Sequence, residues 1–351
     1  MGIYSNKIKE IREKLGDDLC IMGHHYQCDD VIMHCDIVGD SLELARKIPN
    51  ISAKYIVFCG VFFMGESAAL LSKEWQNVYL PEPDADCMMA LMAEANRVRL
   101  VIEQLVKLGR KVLPIAYVNT NLALKSVIGE YSGTVCTSAN AKTILAWAFS
   151  KYDCVLFLPD KNLGRNTAKK LGMDSTLWHI LRVNGQGLVE PRSQALDRKL
   201  LLWPGCCAIH AKFKKDHVLK AREKYSNCKV IVHPECDPEV VDISDGNGST
   251  SYLIEETAKL SKEYKGGHIV VGTENNLVYR LAKRHGDSCY VHPLGDAFCP
   301  HMDKVNEEKL YNTLQNIMDN KATAVKIDQG LSNYAKQSLE RMLDVCSIKV
   351  N

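Results

Sequence analysis

The chain contains 351 residues, of which 46% are hydrophobic and 25% charged, so it can form two or three globular domains with real cores. Its formal net charge is +2 and it has no basic block, which excludes the electrostatic footprint of a nucleic-acid-binding protein. No apolar run approaches the roughly 20 residues of a membrane span, and the charged start lacks the apolar core of a signal peptide.

Fourteen cysteines make up about 4% of the chain, well below the roughly 8–10% that is typical of a disulfide scaffold. Without a signal peptide, we expect reduced thiols and a cytoplasmic location. Five of the cysteines lie in or beside apolar runs, where a free thiol behaves as a small buried hydrophobe. They are Cys20, Cys59, Cys154, Cys228 and Cys289.

The predicted elements of the first third alternate between short apolar strands and helices. An amphipathic helix is expected at 5–15, and a long helix at 88–108 should end at Gly109. Strands are predicted at 20–23, 55–59 and 78–80. Further helices are expected around 40–46 and, after a tight turn at 60–66, at 68–74.

The second and third parts of the chain repeat this order. In the second part, strands are predicted at 111–116, 134–136, 154–158 and 201–203, and helices at 141–149 and 166–171. In the third part, strands are predicted at 229–232, 268–271 and 290–292, and helices at 251–260 and 276–285, with closing helices after 306.

Helices between successive strands imply parallel strands, so the polar residues that follow the strands should meet at one carboxyl-end edge of each sheet. We therefore predict an α/β protein whose compact α/β domains carry short parallel sheets and face one another.

Three cysteines each follow a strand and a loop that contains proline: Cys87, Cys207 and Cys299. They are separated by 120 and 92 residues, too far for a local metal clip, and could meet only at the centre of a three-part fold. Three thiolates leave a metal or cluster with one unfilled position, which is typical of a catalytic site. The alternative is a local structural zinc site built from Cys206, Cys207 and His210, although this spacing lacks a second cysteine pair.

Other polar groups at strand ends suit acid–base chemistry and anion binding. The run His24-His25-Tyr26-Gln27 favours proton transfer near neutral pH. His233 and Glu235 share one face of an extended backbone and can form an acid–base pair. Hydroxyl-rich helix starts can bind phosphate or carboxylate, and they occur at Asp40-Ser41, Thr137-Ser138 and Gly248-Ser249-Thr250-Ser251.

These motifs together resemble the quinolinate synthase family, the iron–sulfur enzymes of NAD biosynthesis, and the resemblance covers nearly the whole chain. It rests first on His24-His25-Tyr26-Gln27, Gly39-Asp40-Ser41-Leu42, Phe58-Cys59-Gly60-Val61, Phe63-Met64-Gly65-Glu66, Tyr117-Val118-Asn119-Thr120 and Cys136-Thr137-Ser138-Ala139-Asn140-Ala141. It continues through Leu158-Pro159-Asp160, Leu163-Gly164, Trp203-Pro204-Gly205 with Cys207 and His210, His233-Pro234-Glu235-Cys236, Gly248-Ser249-Thr250-Ser251, Gly272-Thr273-Glu274, and Cys299 with Met302.

The resemblance implies three similar α/β/α domains around a pseudo-threefold axis, with boundaries near 1–109, 110–210 and 211–351, the last including the closing helices. It implies a [4Fe–4S] cluster held at the centre by Cys87, Cys207 and Cys299. The implied reaction condenses iminoaspartate with dihydroxyacetone phosphate to quinolinate, with loss of phosphate and two waters. An L-aspartate oxidase or dehydrogenase would supply the iminoaspartate, and no nucleic acid or membrane is expected as a partner.

Matching the family's motifs position by position also assigns roles to residues. The catalytic residues implied are Tyr26, Tyr117, His233 and Glu235. The substrate-binding residues implied are His24, Ser41, Asn119, Ser138, Ser249 and Thr250. Another [4Fe–4S] hydro-lyase and a non-catalytic metal-binding protein are the alternative functions.

Three features depart from the family's pattern. Asp86 stands where a glycine usually precedes the first cluster cysteine, and it can either face outward or alter the redox potential. The segment 128–133 is an apparent insertion, expected to be a surface excursion. Cys299 lacks further cysteines nearby, so a disulfide switch beside the cluster is unsupported.

Overall fold

The computed structural model describes residues 3–189 and 194–347, and its main feature is a four-strand parallel arrangement that occurs three times. The first sheet has the strands β1 (Leu19–His24), β2 (Ile37–Gly39), β3 (Tyr55–Cys59) and β4 (Asn77–Tyr79). The second has β5 (Val112–Tyr117), β6 (Thr134–Cys136), β7 (Cys154–Leu158), β8 (Trp178–Ile180) and β11 (Leu200–Leu202), beside a small antiparallel ribbon of β9 (Val183–Asn184) and β10 (Gly187–Leu188). The third has β12 (Lys229–Val232), β13 (Gly246–Asn247), β14 (His268–Gly272) and β15 (Tyr290–Pro293).

The three sheets share one strand order. It runs β2-β1-β3-β4 in the first sheet, β6-β5-β7-β11 with β8 at the far edge in the second, and β13-β12-β14-β15 in the third. The predicted fold class of repeated α/β units with short parallel sheets is confirmed. Each sheet also falls inside one of the ranges 1–109, 110–210 and 211–351, and the domain boundaries themselves stay a prediction.

Helices connect successive parallel strands within the sheets, and further helices precede, link or follow the three sheets. In the first part they are α1 (Ser5–Leu15), α2 (Asp29–Ile32), α3 (Ser41–Lys47), α4 (Phe62–Leu71), α5 (Met88–Leu91) and α6 (Ala95–Lys107). In the middle they are α7 (Leu122–Glu130), α8 (Ala141–Phe149) and α9 (Lys161–Lys170). In the last part they are α10 (Lys215–Lys224), α11 (Pro238–Asp242), α12 (Thr250–Glu263), α13 (Asn275–His285), α14 (Glu307–Met318) and α15 (Gln329–Ser347).

The single helix predicted at 88–108 is wrong, because the chain breaks between α5 and α6. The Glu94 side chain caps α6 by accepting hydrogen bonds from the N–H groups of Asn96 and Arg97. The carbonyl oxygen of Met92 accepts a hydrogen bond of 2.8 Å from the indole of Trp203. This hydrogen bond, which the break makes possible, connects the segment after Cys87 to the end of a strand of the second sheet.

The segment 128–133 is not the surface excursion that the sequence suggested. Ile128 is fully buried, and a Cβ atom added at Gly129 would lie 1.9 Å from the carbonyl oxygen of Tyr334 in α15. The Thr134 hydroxyl donates to the carbonyl oxygen of Ser338 at 3.3 Å, which holds β6 to the same helix. The C-terminal helix thus covers this part of the second unit.

The closing helices pack on the first and second units. Tyr4, just before α1, stacks on Tyr311 of α14 with ring centroids 5.1 Å apart.

The cysteines expected in the core, at positions 20, 59, 154, 228 and 289, are all buried, and all fourteen are free thiols. Among the described residues, no helix is both long and apolar enough to cross a membrane.

Candidate active site

One cavity of about 240 Å³ lies where the carboxyl ends of the three sheets meet. Two residues, at positions i and i+2, line this cavity at the carboxyl end of the first strand of each sheet, which is β1, β5 or β12. These pairs are His24 with Tyr26, Tyr117 with Asn119, and His233 with Glu235. The cavity is therefore built three times from the same position in the fold, as the strand-end pattern predicted.

The chain makes the same turn after β1 and after β12. The N–H of Tyr26 donates to Nδ1 of His24 at 3.1 Å, and the N–H of Glu235 donates to Nδ1 of His233 at 3.4 Å. Burial lowers the pKa of each histidine to about 3. Both rings are therefore neutral at physiological pH, with the proton on Nε2, where it can be donated.

Hydroxyl groups line the cavity after β2, β6 and β13, which occupy equivalent places in the three sheets. Ser41 begins α3, Ser138 lies in the turn before α8, and Thr250 begins α12. Ser249 does not line the cavity, because its hydroxyl caps α12 by accepting from the N–H of Tyr252 at 3.3 Å. At the start of α3 the N–H groups of Leu42 and Glu43 already donate to the side chain of Asp40, so Ser41 offers its hydroxyl group rather than a free helix start.

A third position is also repeated, after β4, β11 and β15, and each time a cysteine there lines the same cavity. These cysteines are Cys87, Cys207 and Cys299. The sulfur of each one accepts hydrogen bonds from backbone N–H groups two or three residues later. Burial raises the pKa of Cys87 to about 12, while these N–H groups favour the thiolate. Three sulfur donors with N–H support on one cavity fit an iron–sulfur cluster.

A carboxyl group accepts a hydrogen bond from the backbone N–H of each of these cysteines. The pairs are Cys87 with Asp86 at 2.7 Å, Cys207 with Asp160 at 2.9 Å, and Cys299 with Glu274 at 3.5 Å. Burial raises the pKa of Asp160 and Glu274 to about 8, so both are mainly protonated near neutral pH. The Asp86 carboxylate is thus turned toward Cys87. In the first unit it has the role that Asp160 and Glu274, which each follow a strand, have in the other two units.

Glu235 lies between two histidines at the centre of the cavity wall. Its Oε2 is 2.6 Å from Nδ1 of His210 and 3.6 Å from Nδ1 of His233, and the two rings stack with centroids 4.3 Å apart. The shorter contact is not in line for a hydrogen bond. Desolvation would raise the pKa of Glu235, but its polar neighbours, among them the phenol of Tyr117, outweigh it and hold the pKa below its usual range.

Three buried oxygens in the cavity wall have no hydrogen-bond partner among the described residues: Oε1 of Glu235, Oδ1 of Asn119 and Oγ1 of Thr137. Buried polar groups are normally paired, so these three are available to a ligand. The phenols of Tyr26 and Tyr117 are protonated donors, because burial raises the pKa of both well above the usual value.

Twelve of the thirteen residues assigned from the sequence line this cavity, and Ser249 is the exception. Sequence reasoning gave no role to Asp160 or Glu274, and it considered His210 only as a ligand in the zinc alternative, although all three lie in quoted motifs and line or support the cavity. The potential single-metal group in the described residues is Cys207 with His210 and Glu235, whose ligand atoms lie within 4.8 Å of one another. It uses Glu235 in place of Cys206, so the zinc site predicted from Cys206 is not formed.

Comparison with known proteins places residues 6–344 in a match to the family model described as quinolinate synthetase A protein. Three relatives named quinolinate synthase illustrate the similarity. The one from Staphylococcus carnosus is 40% identical over 345 residues, covering 97% of this chain and 93% of its own length. Those from Corynebacterium glutamicum and Acidobacterium capsulatum are 39% and 37% identical, cover 97% of this chain, and are themselves covered over 86% and 92%.

Proposed function

Because the chain belongs to the quinolinate synthase family, we propose that it condenses iminoaspartate with dihydroxyacetone phosphate, releasing phosphate and two waters. It is an enzyme of NAD biosynthesis that acts on small molecules. The observation that carries the proposal is the single cavity lined by strand-end acids, hydroxyls and three cysteines from all three sheets.

Enzymes of this family bind iron–sulfur clusters, and we assign a [4Fe–4S] cluster to Cys87, Cys207 and Cys299. Support comes from the shared cavity and from the N–H groups that stabilise each thiolate. When bound, a cluster with three cysteine ligands supplies one open iron that acts as a Lewis acid toward a substrate oxygen.

In the proposed mechanism, Glu235 takes and returns protons at the centre of the cavity. Its Oε1 has no partner, and its pKa below the usual range keeps it ionised and able to act as a base. His210 and His233 hold the carboxylate from one side, which leaves the other side to the substrate. Tyr26 and Tyr117, as protonated phenols, serve as proton donors for imine formation and dehydration.

Both substrates are anionic, and the cavity offers donors for phosphate and carboxylate. Ser41, Ser138 and Thr250 present hydroxyl groups near helix starts. Nε2 of His24 and the amide nitrogen of Asn119 complete this set of donors. Ser249 contributes by fixing the start of α12, through its hydrogen bond to the N–H of Tyr252.

An L-aspartate oxidase or dehydrogenase is the proposed source of iminoaspartate, because this imine hydrolyses in water and must be made as it is used. The cytoplasmic location also stays a proposal. Fourteen unpaired cysteines are compatible with a reducing compartment.

The first experiment measures iron, acid-labile sulfide and zinc in protein prepared without oxygen. We expect about four irons and four sulfides per chain. Cys87→Ser, Cys207→Ser and Cys299→Ser should each lower both values. Cys206→Ser is the matched control, because this neighbour of Cys207 does not line the cavity and should keep the cluster.

The same preparations are then assayed for quinolinate, with iminoaspartate generated in the reaction mixture. Formation that is lost in the three cysteine variants and retained in Cys206→Ser supports the proposal. One zinc per chain without sulfide would instead favour the single-metal group of Cys207, His210 and Glu235, and a non-catalytic role. A full cluster without quinolinate would favour a different hydro-lyase.

A further inference from the structure

One face of α13, in the third unit, holds the turn of the first unit that carries Tyr26. Asn276 and Arg280 are four residues apart on this helix and therefore lie on the same face. Arg280 donates from Nη1 to the carbonyl oxygen of His25 at 2.8 Å and from Nη2 to that of Gln27. Nδ2 of Asn276 donates to the carbonyl oxygen of Tyr26, between these two, at 3.1 Å. Three successive carbonyl groups are thus bound by one helix of another unit.

The turn between β1 and α2 has few other contacts that could fix these carbonyl groups. None of the three accepts a hydrogen bond from a backbone N–H group within the described part of the chain. Carbonyl groups that are shielded from water need a partner. The conformation of the turn therefore depends on α13.

Arg280 is suited to this contact because its guanidinium is a planar fork with five donors. A third donor of the fork, Nε, binds the carboxylate of Asp29 at 2.6 Å. The Arg280 side chain is only 11% exposed, whereas that of Asp29 is 51% exposed. An ion pair that is open to water contributes little, so the bonds to the two carbonyl groups are the main contacts of Arg280.

The same face of α13 connects the turn to the loop that follows Cys299. Nδ2 of Asn276 also donates to Oδ1 of Asp303 at 3.1 Å. Gln27, which is fully buried, donates from Nε2 to the carbonyl oxygen of Met302 at 3.3 Å. One set of hydrogen bonds therefore holds both the turn that carries the phenol and the loop that carries a cysteine of the cavity.

We propose that Arg280, together with Asn276, is a positioning residue that fixes the phenol of Tyr26 in the cavity for proton donation. Neither residue lines the cavity, so neither acts on the substrate directly. A reacting group that is displaced by about 1 Å can lose about 100-fold in rate. The inference deepens the proposed function and rests on it, since it requires Tyr26 to act as a proton donor there.

The test replaces Arg280 with lysine, which keeps the charge but not the fork. We expect kcat for quinolinate formation to fall about 10- to 100-fold, whereas the Kd for dihydroxyacetone phosphate, measured by calorimetry, changes less than about threefold. In a Tyr26→Phe background the same substitution should cost less than about threefold, because residues that act as a unit have non-additive effects. Asn276→Ala should lower kcat by about 3- to 10-fold.

Hydrogen exchange followed by mass spectrometry reports on the turn directly, and it decides the question if the Tyr26→Phe variants are too slow to assay. R280K should speed the exchange of the amides at 24–28 by more than about tenfold and leave those at 116–120 in the second unit unchanged. Iron content and melting temperature are measured for every variant. If R280K loses iron or stability, Asn276→Ala is put through the same comparisons.

Arg284→Lys is the matched control, because Arg284 lies four residues beyond Arg280 on α13, is exposed and makes no hydrogen bond from its side chain to a described residue. It should leave both kcat and exchange unchanged.

An R280K enzyme with normal kcat, or with unchanged exchange in the turn, overturns the inference and leaves the proposed function intact. The same holds if R280K costs as much in the Tyr26→Phe background as in the unmodified enzyme, or if Arg284→Lys causes an equal loss. If the unmodified protein forms no quinolinate, the proposed function fails and the inference fails with it.

Discussion

Replacing Gly129 with alanine sets two effects of opposite sign against each other. The new Cβ would lie 1.9 Å from the carbonyl oxygen of Tyr334, where contacts under 3.0 Å are essentially never found, so α7 and α15 must separate by at least 1.1 Å. Overpacking against backbone costs about 3 kcal/mol, the upper end of the usual range. Alanine regains about 1 kcal/mol of helix propensity over glycine. The net loss of unfolding free energy is therefore about 2 kcal/mol.

This loss should lower the melting temperature by about 3 °C, because unfolding entropy of about 2.1 cal/mol/K per residue gives roughly 0.7 kcal/mol/K for the whole chain. Calorimetry and urea titration measure both quantities. Gly185→Ala is the control, since a Cβ there meets nothing within 4 Å, and it should change stability by less than about 0.5 kcal/mol. A G129A protein as stable as the unmodified one would refute the close packing of α7 on α15.

Two further predictions concern the cavity. Glu235→Gln should lower kcat by about 10²- to 10⁴-fold, which corresponds to about 2.7–5.4 kcal/mol of activation free energy. The iron content should stay constant. A variant with more than a third of the normal kcat would exclude Glu235 as the base. Asp86→Asn keeps an oxygen for the N–H of Cys87 but removes a negative charge, so the reduction potential of the cluster should rise by tens of millivolts, as followed by EPR-monitored titration. An unchanged potential in D86N, with cluster loss in Asp86→Ala, would show that Asp86 acts through the hydrogen bond alone.

The strands that carry the site could be predicted from the sequence because they are continuous apolar runs that end in polar residues. Three edge strands could not be predicted in the same way. β2, β8 and β13 have only two or three residues each, and their conformation is set by pairing with a neighbouring strand rather than by their own composition. The break after α5 was missed because Ala93 and Glu94 fit a helical pattern, whereas the Met92 carbonyl binds Trp203 from another unit.

The residues at strand ends were predictable for a similar reason, since parallel strands bring their carboxyl ends to one edge. The positions of His210 and Asp160 in the site were not predicted, because their contacts depend on neighbours that lie far away in the chain. His210, for example, meets Glu235 of the third unit, and Asp160 meets Cys207 across 47 residues. The segment 128–133 was misjudged because the helix that buries it begins about 200 residues later.

The packing of α15 on α7 also determines the order in which the parts of the protein can fold. Each of the three sheets is formed by a continuous stretch of the chain, but the apolar face of α7 stays uncovered until α15 has been synthesised. The middle unit is therefore completed only after α15 has left the ribosome, and a chain that lacks α15 exposes hydrophobic surface that chaperones and proteases recognise. Because loop closure over so long a span is slow, docking of α15 should limit the rate of refolding. A premature stop before Gln329 would consequently damage the part of the site that carries Tyr117, Asn119 and Ser138, although that part lies in the middle of the sequence.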